Sequence, residues 1–108
     1  MNKDKFLPVG SVIKISGSSS LWVINGYFAG ESGSSKVYDY VIGQYPIGYT
    51  SDKVYFADRD SVQAVLFVGF QNEQFKKYLP ILKRIRETID SGGSPEDLIA
   101  ELENRKEN

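Results

Sequence analysis

Apolar residues recur along this chain with two different periods. Up to Phe70 they come in short, strand-like runs; from Phe75 to Ile89 they step by three and four. The first pattern predicts β-strands and the second an amphipathic helix. "SVIKIS" (11–16) puts Ile13 and Ile15 on one face and Lys14 on the other, and "GSSS" (17–20) supplies a hairpin turn. "LWVINGYFA" (21–29) is apolar on both faces: Leu21, Val23 and Tyr27 on one, Trp22, Ile24 and Phe28 on the other. That pattern belongs to a central strand covered on both sides. "GESGSS" (30–35) reads as a loop.

"KVYDYVIGQY" (36–45) is the third predicted strand, with Tyr38, Tyr40 and Ile42 on one face and Val37, Asp39 and Val41 on the other. "PIGYTSD" (46–52) is an irregular connection, "KVYFA" (53–57) a short strand, and "DRDS" (58–61) a turn or one loose helical turn. "VQAVLFVGF" (62–70) is again apolar on both faces. Phe75, Tyr78, Leu79, Leu82, Ile85 and Ile89 then form one helical stripe, with Pro80 inside it predicting a kink or break near Tyr78. "SGG" (91–93) stops that helix, and "SPED" (94–97) starts a second, with Ser94 as N-cap and Pro95 in the first turn. Leu98, Ile99 and Leu102 give the second helix a narrow apolar stripe.

Strands followed by helices predict an α+β fold. The expected sheet is an antiparallel meander of about five strands, which could roll into a half-open SH3-like barrel. One or two C-terminal amphipathic helices follow. We divide the chain into an N-terminal polar arm (1–8), a single domain (9–90), and a linker with a short helix (91–108).

Composition narrows the chemistry. The 108 residues are 41% apolar and 25% charged, which describes one globular domain. There is no cysteine and no histidine. Disulfides, thiolate nucleophiles, imidazole bases and Cys or His metal ligands are therefore excluded. Asp58 and Asp60 could face a hard cation, but two carboxylates on one turn with no third in register read better as turn residues. Asp39, inside a strand between two tyrosines, reads as a hydrogen-bonded structural carboxylate more readily than as half of a catalytic pair. The serine groups are turn composition, and "GESGSSK" lacks the spacing of a phosphate loop. The expectation is a non-enzymatic protein with no cofactor and no metal.

Net charge is −1, but its distribution is uneven. Residues 71–89 hold Lys76, Lys77, Lys83, Arg84 and Arg86 against two acids, and residues 90–108 hold six acids against two bases. With a pI near 5.4 and a charge-balanced sheet, nucleic acid is not the expected partner. A basic first helix and an acidic second one could instead fold back as a hairpin. Surface charge pairs contribute only about 0–1 kcal/mol each, so charge would orient that hairpin rather than hold it. The segment after Gly93 is then either marginally docked or ordered by a partner helix. No apolar run approaches the ~20 residues that span a bilayer, and "MNKDKFLPVG" has no apolar signal core, so the expected location is the cytoplasm, without membrane insertion.

The surplus of aromatic residues points to an interface. Tyr45, Ile47 and Tyr49 alternate around Pro46 and Gly48 in a connection, where apolar side chains gain free energy only if the fold or a partner covers them. With Leu98, Ile99 and Leu102 they are the candidate partner-binding residues. Another protein is the expected partner, and self-association is left open.

"LPVGSVIKISG", "LWVINGYF", "VYDYVIGQYPIG" and "YFADRDSVQAVLFVGFQNEQFKKYL" resemble, in order, the family catalogued as domain of unknown function 4176, over residues 7 to about 82. The resemblance implies a small protein of Gram-positive bacteria, encoded beside type VII secretion components and LXG-type toxins. It further implies an accessory role as adaptor, chaperone or targeting factor for a secreted toxin or its helical export domain; an immunity protein that neutralises a cognate toxin is the alternative. It carries no active site to this sequence. The chain does not resemble a small WXG-type substrate, since it is mostly strand. Tyr27 and Glu31 match an export-signal spacing but fall on a strand and loop.

Overall fold

The computed structural model of the chain describes residues 5–48 and 53–93. Five strands, β1 (Val12–Ile15), β2 (Trp22–Ala29), β3 (Tyr38–Gln44), β4 (Tyr55–Ala57) and β5 (Val62–Phe67), precede one helix, α1 (Glu73–Asp90). All pairings are antiparallel, in the order β4-β3-β2-β1-β5. The first four strands are a meander. β5 then returns to the free side of β1, and the sheet stays open rather than closing into a barrel. The α+β class and the five antiparallel strands follow the sequence reading. The second predicted helix lies outside the described residues.

The core forms where α1 meets one face of the sheet. Ile13, Trp22, Ile24, Tyr40, Ile42 and Ala57 are buried against Leu82, with Phe75 and Leu79 half-buried beside them. Pairing in register puts Ile24 opposite Ile42 and Tyr27 opposite Tyr40. Ile24 and Tyr27 can share a face only because a bulge at Asn25–Gly26 resets the alternation. Phe28 then adopts φ 56, a left-handed backbone rare for a bulky residue. Tyr27 and Phe28 consequently both pack on Phe6, at ring separations of 5.9 and 5.3 Å. Strict alternation, which places them on opposite faces, is corrected here.

Residues 6–8, read from sequence as part of a polar arm, are buried. Phe6 closes the core edge, the Leu7 N–H donates to Tyr40 Oη at 3.0 Å, and Tyr27 Oη donates to the Leu7 carbonyl. Ser11, fully buried, donates to the Pro8 carbonyl at 2.7 Å and accepts from the Gly69 N–H at 2.9 Å. This contact leaves no room for a side chain at 69: a Cβ there would lie 2.2 Å from the Val9 carbonyl oxygen. The "LPVGS" and "VLFVGF" blocks are thus two halves of one junction.

Helix α1 starts on Asn72, whose side chain accepts from the Phe75 N–H at 3.1 Å. It runs unbroken through Pro80, so of the predicted kink or break the break does not occur. Pro80 and Lys76 are both exposed, so the carbonyl that loses its partner belongs to a solvated stretch of the helix. The helix ends with Gly92 N–H on the Ile89 carbonyl and Gly93 N–H on the Thr88 carbonyl, the paired bonds of a Schellman stop.

Candidate interaction surface

One helix can cover only one face of a sheet. β2 and β5 carry apolar residues on both, and among the described residues nothing covers the second face. On it, Val12 of β1 pairs with Val23 of β2 on one side and with Phe67 of β5 on the other. Together with Leu21, Tyr45 and Leu66 these side chains line a groove of about 670 Å³. Among the described residues only one face of these two strands is covered, against the expectation for both, and β5 is an edge strand rather than a central one.

The groove's wall is the turn after β3. Tyr45 N–H donates to the Leu21 carbonyl at 2.9 Å and Gly48 N–H to the Gln44 carbonyl at 2.7 Å, with a cis peptide between Tyr45 and Pro46. The turn folds back so closely that a Cβ at Gly43 would lie 2.5 Å from the Gly48 backbone. Tyr45 and Ile47 stand out from it, 51% and 67% exposed. Leu66 and Phe67, which line the groove, are exposed as well, and so are Val68 and Phe70, which follow them in the chain, Phe70 at 81%. Exposed apolar side chains gathered around one groove, here Tyr45, Leu66 and Phe67, mark an interaction site.

Of the sequence-derived candidates, Tyr45 and Ile47 therefore sit on exposed surface at this turn. Tyr49, Leu98, Ile99 and Leu102 lie outside the described residues. Val12, Leu21, Val23, Leu66 and Phe67 were missed as surface. The signal that finds them is a count of coverings: two strands apolar on both faces, and one amphipathic stripe long enough to cover a sheet.

The carboxylates that drew attention as chemistry build a clamp instead. Asp39 is 5% exposed; its carboxylate accepts from Arg59 N–H at 2.8 Å, Arg59 Nε at 3.2 Å and Arg86 Nη1 at 3.1 Å. Arg86 also donates to the Val37 carbonyl at 2.8 Å and reaches Asp90 at 2.7 Å. Burial pulls the Arg86 guanidinium down in pKa, and hydrogen bonds to Asp90 and Asp39 more than reverse this. Asp58 accepts from the Asp39 N–H and pairs with Lys36, whose ammonium is held protonated by that contact. Arg59 lies over the Phe6 ring at 4.3 Å. The network joins α1, the start of β3 and the turn after β4. Among the described residues no group of three carboxylates is placed to hold a metal ion, and no helix is long and apolar enough to cross a membrane.

No curated protein and no solved structure matches the chain. A family profile matches residues 6–77, two thirds of the chain, and spans the buried end of the arm (6–8), all five strands and the first turn of α1. The matched region contains the Ser11–Gly69 junction, the Gly43–Gly48 turn and the whole open groove. On that match, this chain belongs to the family described as domain of unknown function (DUF4176).

Proposed function

We propose that this protein is a non-enzymatic interaction module serving as adaptor, chaperone or targeting factor for a type VII-secreted LXG-type toxin in the cytoplasm of a Gram-positive bacterium. The observation that carries the interaction reading is the open apolar face of the sheet, with Tyr45 and Ile47 on the turn that walls it. A groove built for catalysis would converge polar, perturbed groups; this one is lined by aliphatic and aromatic side chains, proline and glycine. The toxin reading rests on the family resemblance. Asp39 and Asp58, two of the acids at the other end of the domain, are ion-paired to Arg59, Arg86 and Lys36, so they add nothing to the immunity alternative.

The test is affinity purification of the tagged protein from its native host, with mass spectrometry of what co-elutes. Recovery of the toxin encoded beside it, lost on Tyr45→Ala with Ile47→Ala, supports the reading. Protection of cells from the toxin's catalytic domain alone would replace it with the immunity role.

A further inference from the structure

A second groove, of about 490 Å³, lies between α1 and the arm and shares no residue with the first. Phe6, which is buried, Leu79, which is half-buried, and Pro80 give it an apolar floor. Lys5, Lys76 and Lys83, all exposed, line it as well. These lysines are not matched as the cations of the clamp are. Lys36, Arg59 and Arg86 each have a carboxylate within 3.2 Å. Lys76 reaches Glu73 only at 3.6 Å, with both side chains largely in water, and Lys5 and Lys83 have no acid partner among the described residues. Three cations around an apolar floor attract a segment that is acidic and apolar at once.

The chain carries such a segment, and it begins next to the end of α1. Residues 96–103 hold Glu96, Asp97, Glu101 and Glu103 with no base, and between them Leu98, Ile99 and Leu102. We propose that this segment, which lies outside the described residues, docks back on α1 and covers the groove, its acids against Lys5, Lys76 and Lys83 and its apolar residues over Leu79 and Pro80. The reach suffices. Lys83 and Lys76 lie about 10 and 20 Å back along α1 from Asp90, and the fifteen residues 94–108 span about 22 Å even at helical rise. Residues 1–4, the other stretch that adjoins the groove in sequence, bring one acid against one lysine, so charge selects the C-terminal segment over them. Tethering raises the effective concentration of the segment at the groove, so contacts too weak to hold two separate molecules hold it in place. The inference does not rest on the toxin reading: loss of toxin binding through Tyr45 and Ile47 leaves this groove unchanged, and an uncovered groove leaves the sheet face unchanged.

The test is amide hydrogen exchange on the full chain at low salt. Amides of residues 96–103 should exchange more slowly than in a free peptide of the same sequence, at a rate independent of protein concentration. Lys76→Glu with Lys83→Glu should speed them about 5-fold or more while the amides of β2 and β3 keep their rates. Adding Glu101→Lys with Glu103→Lys should bring the slow exchange back. Lys76→Gln with Lys83→Gln is the milder pair if the reversed one does not fold, with the same direction expected. Exchange of the wild-type segment at the free-peptide rate overturns the proposal. So does protection that neither lysine pair alters, or protection that fades on dilution and so belongs to a contact between molecules.

Discussion

The carboxylate of Asp39 lies 3.1 Å from the guanidinium of Arg86 and 3.2 Å from Nε of Arg59. One buried acid thereby ties the C-terminal half of α1 to the start of β3 and to the link between β4 and β5. Replacing it leaves Arg59 without its carboxylate and Arg86 with only Asp90 and a carbonyl. Removing one partner of a buried pair is costly because the other charge stays behind. Asp39→Ala should lower unfolding free energy by about 3 kcal/mol in urea titration. Asp58→Ala, which frees a half-exposed site, should cost about 1 kcal/mol. Equal losses for the two would contradict the clamp.

Tyr27 and Tyr40 hold the arm through their hydroxyls, and both phenols resist ionisation. Burial pushes the Tyr40 hydroxyl up to about 12, the Leu7 N–H opposing, and pushes Tyr27 up further with help from Tyr40 and Tyr78. Because the folded pKa exceeds the ordinary value of about 10, the native state favours the neutral phenol. This stabilisation is complete below about pH 10 and is lost as pH rises through the folded values. Absorbance at alkaline pH should show two of the tyrosines titrating late, together with unfolding. Tyr40→Phe should cost about 1–2 kcal/mol and speed amide exchange at Leu7. Ordinary titration of all tyrosines in the folded protein would remove this account of the arm.

Gly43 and Gly69 are each pressed against backbone, the carbonyl of Gly48 in one case and of Val9 in the other. A Cβ at Gly26 meets nothing within 4 Å. Gly43→Ala and Gly69→Ala should therefore each cost about 2 kcal/mol or more in thermal melts. Gly26→Ala should be neutral or stabilising by up to about 1 kcal/mol. If all three behave alike, the close approaches are not what the family blocks encode.

Much of this fold is legible in the sequence because its signals are local. The period change at Gln71, the "GSSS" turn and the "SGG" stop each depend on a few neighbouring residues. What escapes is set by pairing across the chain. The bulge at Asn25 carries no composition signal distinct from a strand glycine, yet it turns Tyr27 into the core. Phe6 and Leu7 look like the end of a charged arm until Tyr40 and Tyr27 supply their partners. The return of β5 to β1 decides that "VLFVGF" is an exposed edge, and no local pattern separates that from a central strand. At the groove, Tyr45 and Ile47 were legible because apolar residues in a turn need an explanation. Phe67 was not, because an apolar residue in a strand needs none.

The central claim is that the open face beside the Tyr45–Pro46 turn is a binding surface. It is tested most directly by titrating the export domain of a toxin of the class proposed as its partner into wild-type protein and into Tyr45→Ala/Phe67→Asp, with melting temperatures checked in parallel. Loss of two groove anchors should weaken binding about 100-fold or more while the fold persists. Unchanged affinity in a folded double variant would contradict it.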